Sequence, residues 1–298
     1  MKKVIITGAS GFIGQNLLSY LDNYDAEFFL LYNSNECKCD LKNVTAVSCN
    51  LFNLNQVKEL FKRVRPTHLL HMAWGMSPSN YNLDSNFTWL NKSIDLLEEF
   101  KNYGGKRIVI AGSGVEYQWS HGLCVEEKTP LSYGNLYGST KNILRDFAYT
   151  YCKHFDIELV WPRIFFTFGP CEHNERLISH VIYSLLKNEP AKIKNGSIYR
   201  DYMYVKDIAR ILAALIFHTY KGVVNIGTGI PTNLAEMGKM VAQILEKPDL
   251  LEIDNPEVKE NKVVFANVNR LNYDVGLKAE YNLKDALTET IDWWRDNI

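Results

Sequence analysis

The stretch KVIITGASGFIG, residues 3–14, constrains the fold more than any other part of the chain. A β-branched run ends in a loop carrying Gly8, Gly11 and Gly14, and an amphipathic pattern, GQNLLSYLDNY, begins at the last of these glycines. Glycines so placed between a strand and a helix let the backbone approach a pyrophosphate, whose charge then rests on the helix N-terminus. The spacing is G-x-x-G-x-x-G, not the G-x-G-x-x-G of the older dehydrogenases. It predicts a dinucleotide site at a strand–loop–helix junction.

The chain continues in the same alternation. Short β-branched or apolar runs at 27–32, 44–51, 67–73, 107–113 and 157–166 read as strands. Helical patterns lie between them at 54–66, where Pro66 closes the helix, at 86–105, which ends in glycines, and at 136–155. Strands alternating with helices predict an α/β fold, a doubly wound parallel sheet of Rossmann type with helices on both faces. From about residue 168 the pattern changes. Helices are expected at 175–188, 207–219, 233–246 and 284–295, with a short strand in VVNIGTG. The expected organisation is a dinucleotide-binding domain over 1–167 and a smaller C-terminal α/β substrate-binding region over 168–298, with some strands and helices returning to the first domain. No internal repeat, low-complexity stretch or flexible linker interrupts the chain.

Bulk properties exclude several classes. A length of 298 residues allows a sizeable core, and a net charge of −1 offers no electrostatic footprint for nucleic acid or an anionic membrane. The apolar run near the N-terminus is short and broken by Gly8 and Gly11, unlike a signal peptide, and no segment reaches the roughly 20 apolar residues of a membrane span. Six cysteines, with only Cys37 and Cys39 closely spaced, form neither a disulfide framework nor a zinc pattern. Reduced thiols in a cytoplasmic protein, with no metal, are expected.

The stretch SYGNLYGSTK, residues 132–141, holds two tyrosines and a lysine. Residues four apart on a helix share a face, about 5–6 Å apart at Cβ. An ammonium at that distance favours tyrosinate and lowers a phenol pKa that starts at about 10. Only Tyr137 has such a partner, Lys141. At the expected end of the second strand, LLYNSNECK places Tyr32, Asn33 and Ser34 where an NAD site usually carries an acid. This favours NADP(H) over NAD(H), with Asn33, Ser34 or Lys38 near a 2′-phosphate.

With TGASGFIG, AGSGVEY and YGSTK in one chain, the sequence resembles the extended short-chain dehydrogenase/reductases, the NAD(P)-dependent sugar epimerase/dehydratase family. PRIFFTFGP resembles the family's R-x-x-N-x-Y-G-P segment, YRDYMYVKDIA its R-D-aromatic signature, and VVNIGTG and LTETIDWW its later segments. The resemblance spans almost the whole chain. It implies Tyr137 as proton donor, Lys141 as its pKa-lowering partner and ligand of the nicotinamide ribose, and Ser113 as the group that orients the substrate oxygen. It implies cofactor contacts from Gly8, Ser10, Gly11, Phe12, Ile13, Gly14, Asn33, Ser34, Asn50, Leu51, Met72, Ala73, Pro162 and Ile164, besides Tyr137 and Lys141. Substrate contacts are implied from Trp74, Ser113, Arg176, His180 and Arg200, the last gripping a diphosphate. Asp207 is read as a helix N-cap. A homodimer is expected.

Departures from the family pattern narrow the reaction. Dehydratases carry an acid pair directly after the Ser or Thr. Here Gly114 and Val115 stand there, and Glu116 is one residue late, which disfavours elimination. Epimerase-reductases resembling GDP-fucose synthase use a Cys at the position of Val115, so His180 lacks its partner. Phe166 replaces the usual Asn, arguing against a standard 4-epimerase and towards reductases that resemble CDP-abequose and CDP-paratose synthases. The expectation is therefore NADPH-dependent reduction of the C4 keto group of a nucleotide-activated 4-keto-6-deoxy sugar, for surface polysaccharide. The alternative is an NAD-dependent nucleotide-sugar 4-epimerase or 4-dehydrogenase. A non-catalytic NADP-sensing protein is the remote rival.

Overall fold

The run KKVIIT forms β1 (Lys2–Thr7), and its last four residues are fully buried, as in a strand covered on both faces. A computed structural model describes residues 1–34, 39, 41–75, 80–257 and 261–298. After β1 come α1 (Phe12–Leu21), β2 (Ala26–Tyr32), β3 (Val44–Ser48), α2 (Leu54–Val64), β4 (His68–His71), α3 (Ser85–Asn102) and β5 (Arg107–Ile110). The short β6 (Gly112–Ser113) and β7 (Leu123–Cys124) precede α4 (Leu136–His154), β8 (Glu158–Ile164) and β9 (Phe166–Phe168). Then follow α5 (Leu177–Leu186), β10 (Ala191–Ile193), β11 (Tyr199–Arg200), β12 (Tyr202–Tyr204), α6 (Val205–Phe217) and β13 (Gly222–Ile226). The remaining elements are β14 (Thr232–Asn233), α7 (Leu234–Ile244), β15 (Leu251–Ile253), β16 (Val263–Ala266) and α8 (Leu283–Asp296).

Two compact units emerge, residues 1–116, 131–163 and 209–224 in the first and 117–130, 164–208 and 225–298 in the second. The main sheet runs β13-β8-β5-β4-β1-β2-β3, with β6 beside β8. β1 pairs in parallel with β2 and β4, β4 with β5, and β5 with β8. Strand order reverses at β1, between β2 and β4, which is where doubly wound sheets open a crevice at their carboxyl ends. The α/β Rossmann expectation holds. Its apolar helix faces pack on the sheet; from α2, for example, Val57, Leu60, Phe61 and Val64 are buried.

The second unit contains a four-stranded sheet, β14-β11-β16-β7, and the parallel pairs β10–β15 and β9–β12. Buried Asp201 ties its loops together. One carboxylate oxygen accepts from the Thr228 backbone N–H and hydroxyl, the other from the backbone N–H groups of Gly229 and Ala266.

Two expectations need correction. The third strand stops at Ser48 rather than Leu51, because the chain turns at Asn50, whose Oδ1 accepts from Phe52 N–H. Asp207 is not an N-cap, since α6 begins two residues earlier, at Val205. Its buried carboxylate instead accepts from the backbone N–H groups of Glu280 and Tyr281, fixing the loop that leads into α8. No helix among the described residues is long and apolar enough to cross a membrane, and no group of three or more His, Cys, Asp or Glu there could hold a metal ion.

Candidate active site

The glycine loop is shaped by close approach. Gly8 has φ +77°, and a Cβ on it would lie 2.8 Å from the Ala73 backbone nitrogen; one on Gly14 would lie 2.2 Å from the Gly8 carbonyl oxygen. Gly11 is the N-cap of α1 and gives its first turn, which starts Phe12-Ile13-Gly14, no side-chain cap; a helix start of that kind suits an anion. This cradle fits a dinucleotide pyrophosphate. Ser10 lies in the same turn, its carbonyl accepting from Gln15. Asn33 and Ser34 are exposed just past β2, while Lys38 lies outside the described residues. Asn50 and Leu51 follow β3 in the turn described above. Met72, Ala73 and Trp74 follow β4, with Met72 N–H donating to the Thr7 carbonyl and Ala73 N–H to Thr7 Oγ1.

Beneath that segment lies a buried relay. His71 Nδ1 is 2.7 Å from Thr7 Oγ1, and its Nε2 is 2.9 Å from Ser93 Oγ. Ser93 already donates to the Trp89 carbonyl, so Nε2 carries the hydrogen and Nδ1 accepts the Thr7 hydroxyl. Burial, then the Lys141 charge, holds His71 down to about 3, so it is neutral and acts as a brace for the β4 edge.

Asn135 caps α4, its Oδ1 accepting from Gly138 N–H at 2.8 Å. The cap sets the register that turns Tyr137, Gly138, Lys141 and Asn142 inward, all of them buried. Tyr137 is 8% exposed and Tyr133 is 60% exposed, so the structure separates the two tyrosines. Lys141 Nζ donates to the Ala111 carbonyl at 2.8 Å and lies 6.0 Å from the Tyr137 ring centroid. Burial pushes its pKa down to about 7, against a smaller pull upward from Glu116. A Cβ at Gly138 would come 3.0 Å from the Val115 carbonyl oxygen, so α4 packs tightly on the turn after Ser113. Ser113, between Ala111 and Val115, is thus bracketed by contacts to α4; its Oγ accepts from Val115 N–H at 3.3 Å.

Glu116 explains how that turn is held. Fully buried, it accepts from Ser113 N–H at 2.7 Å, from Trp161 Nε1, and from Arg163 Nε at 2.6 Å. Its side chain is turned into the sheet, away from the role of a dehydratase acid. Gly112 leaves room for this network, since a Cβ there would lie 2.3 Å from Trp161 Nε1. Pro162 is buried on β8 between these two partners.

Ile164, Arg176, His180 and Arg200 belong to the second unit and are placed within it. Ile164 is buried at the end of β8. Arg176 is the N-cap residue of α5, and His180 is exposed on that helix. Arg200 is nearly buried. One guanidinium nitrogen donates to the carbonyls of Tyr199, Asn261 and Lys262, and its planar head sits 5.4 Å from the Trp119 ring and 5.6 Å from that of Phe166.

The sequence model of the NAD dependent epimerase/dehydratase family matches residues 4–227. The chain belongs to that family. A UDP-glucuronate 4-epimerase of Thermodesulfobacterium geofontis is 25% identical, the match covering 99% of this chain and 96% of the relative. A putative UDP-glucose 4-epimerase of Methanocaldococcus jannaschii is also 25% identical, over 99% of both chains. Among solved structures, the UDP-glucose 4-epimerase of Thermus thermophilus in complex with NAD superposes with a TM-score of 0.87 at 23% identity, covering 99% of this chain and 100% of that one. That likeness shows the fold.

For this family member, sequence reasoning passes over the partners that hold the site. In the sequence Glu116 reads only as a misplaced acid, and Arg163 only as a motif residue. An arginine inside an otherwise apolar strand, with an acid in the loop below the neighbouring strand, is the available signal. His71, Thr7 and Ser93 give none, being ordinary strand and helix residues until the fold joins them.

Proposed function

We propose that the protein is an NAD-dependent nucleotide-sugar 4-epimerase acting on a UDP-hexose or UDP-hexuronate. Lys141, buried one turn from Tyr137 with its ammonium bonded to a carbonyl, is the observation that carries this reading. It supports a phenol that can give up and regain a proton near neutral pH. Full-length likeness to 4-epimerases supports epimerisation over the NADPH-dependent reduction favoured by the sequence, and NAD over NADP.

In this reading Tyr137 accepts the proton of the sugar C4 hydroxyl as C4 is oxidised and returns it to O4 when C4 is reduced on its other face. Ser113 donates a hydrogen bond to the same oxygen while it carries negative charge. Lys141 keeps the phenolate favourable and offers its remaining N–H groups to ribose hydroxyls. Gly8, Gly11 and the first turn of α1 hold the pyrophosphate, and bound NAD supplies hydride abstraction and return. Arg200 holds the substrate diphosphate.

The test is incubation with UDP-glucose and UDP-glucuronate without added cofactor, read by NMR of the anomeric protons. Interconversion of C4 epimers, together with NAD released on denaturation, is the expected result. One observation favours reduction as a second reading: Phe166 stands where the family's Asn would meet the diphosphate. Consumption of added NADPH with a 4-keto-6-deoxy nucleotide sugar, and no interconversion, would replace the first reading by the second. A homodimer is proposed through α3 and α4, where Phe87, Ile143 and Phe147 are exposed; light scattering at the mass of one chain would refute it.

A further inference from the structure

A buried ammonium needs compensation for the water it has lost, usually a carboxylate. Lys141 accepts only partial help of that kind. Its hydrogen bond goes to a carbonyl, Ala111. Glu116, the acid that acts on it, has its oxygens occupied by Arg163, Trp161 and the Ser113 N–H. What directly faces Nζ is the ring of Trp74, its centroid 3.9 Å away. That is well inside the roughly 6 Å within which an indole face attracts a cation, and Trp is the strongest of the aromatic partners.

The indole is held in place from several sides. Its Nε1 donates to Asn86 Oδ1 at 2.9 Å, and Asn86, itself buried, donates to the Leu83 carbonyl. Its face stacks against Trp89 at an interplanar angle of 25°, 6.2 Å between centroids, and Tyr137 meets it edge-on at 6.1 Å. Ring, ammonium and phenol therefore form one packed group, fixed by α3 on one side and α4 on the other.

We propose that Trp74 is the positioning residue of the Lys141 ammonium, its indole face standing where a carboxylate counter-ion would otherwise sit. A carboxylate there would hold the lysine but cancel its field at the Tyr137 phenol, and it would repel a diphosphate bound near by. A ring quadrupole attracts the cation while leaving its full charge to act on the phenol. It also takes up none of the three ammonium hydrogens, one of which Ala111 uses. The inference rests on the acid–base reading of Tyr137 and Lys141 for its catalytic consequence; the contact itself does not.

Among the described residues, the other groups around the ammonium and its phenol are few, with Tyr81, in the turn before α3, meeting the Tyr137 ring edge-on at 5.6 Å. From β4 comes neutral His71, from the turn after β6 Glu116, and from α4 the Tyr137 phenol; the α3 residues that pack on Trp74 and brace His71, namely Asn86, Trp89 and Ser93, are uncharged. Losing the indole face should therefore be felt directly in the titration of Lys141.

The experiment labels lysine with 13C in the full-length protein and follows the Cε signal of Lys141 against pH, assigned by its disappearance in Lys141→Arg. Trp74→Leu is expected to lower the titration midpoint by about one pH unit, Trp74→Phe by less. Asn86→Ala, which frees the indole but keeps it, should give a small shift in the same direction. The alkaline limb of turnover should move with the midpoint. An unchanged midpoint in Trp74→Leu, or in Trp74→Phe and Asn86→Ala should the first variant not fold, overturns the proposal and leaves the epimerase reading untouched. A lowered midpoint in a protein that never interconverts C4 epimers upholds the proposal and defeats that reading instead.

Discussion

At the scale of single residues, the site separates groups that look alike in the sequence. Tyr133 and Tyr137 each precede a glycine, yet only Tyr137 is buried beside an ammonium. Tyr137→Phe is expected to lower turnover by at least about 10²-fold, the ordinary contribution of a positioned acid–base group, while the bound NAD content stays unchanged. Tyr133→Phe should keep most of the activity, and equal losses in both variants would remove Tyr137 from its role. Glu116 belongs to the same argument. Replacing it with alanine takes the carboxylate away from the Arg163 guanidinium in the sheet and frees the Ser113 N–H, so a loss of roughly 3–5 kcal/mol in denaturant unfolding is expected. A change within about 0.5 kcal/mol would show that the pair is not what holds this turn.

At the scale of elements, α4 decides the geometry, because its cap, its glycine and its inward face all act on the segment from Ala111 to Glu116. Asn142, fully buried, donates to the carbonyls of Glu116 and Ser132 and locks helix and turn together. The paired glycines make the argument testable. A methyl at Gly134 meets nothing closer than 3.5 Å, so Gly134→Ala should be nearly silent. In Gly138→Ala the gain in helix propensity, about 1 kcal/mol, competes with a Cβ 3.0 Å from the Val115 carbonyl. Activity is expected to fall more than stability, since lifting α4 by a few tenths of an ångström shifts Tyr137 relative to the turn that carries Ser113. A fully active Gly138→Ala enzyme would show that the close approach is dispensable.

This division also marks how far the sequence can be read. β1, the glycine loop and the helix carrying Tyr137 and Lys141 are local patterns, and local patterns survive without a structure. Two of the partners of Glu116 lie 45 and 47 residues away, and two of the carbonyls that hold Arg200 lie 61 and 62 residues beyond it. No periodicity encodes such pairings. Asp207 misleads for a related reason: its acceptor role serves a loop more than 70 residues later, which a cap at the start of its own helix imitates.

At the scale of the whole molecule, His71 and Lys141 in the first unit and Glu172 in the second respond to pH in opposite senses. In the first unit, burial holds His71 down to about 3, and Lys141 down to about 7. For these two groups the unfolded chain binds the extra protons between those values and the ordinary ones, so they add stability as pH rises from about 3 to 6.5 and again from about 7 to 10.5, whereas the buried thiols of Cys49 and Cys152, pushed up to about 11 and about 12, act in the opposite sense above about 9. In the second unit, Glu172 is raised to about 8 by burial, more than its hydrogen bond from Ser179 and the nearby Arg176 charge offset. Here the folded state keeps a proton that the unfolded chain releases. The contribution is complete below about 4.5 and is lost as pH climbs through 8. Glu172→Gln keeps a neutral acceptor for the Ser179 hydroxyl at every pH. The variant should therefore match the parent protein at pH 4.5 and exceed it by about 2–4 kcal/mol at pH 8.5, measured by denaturant unfolding followed through probes in α5. Equal stabilities at the higher pH would mean that Glu172 ionises in the folded protein as readily as in the unfolded chain, and that water or an arginine reaches it where the packing around α5 leaves it dry.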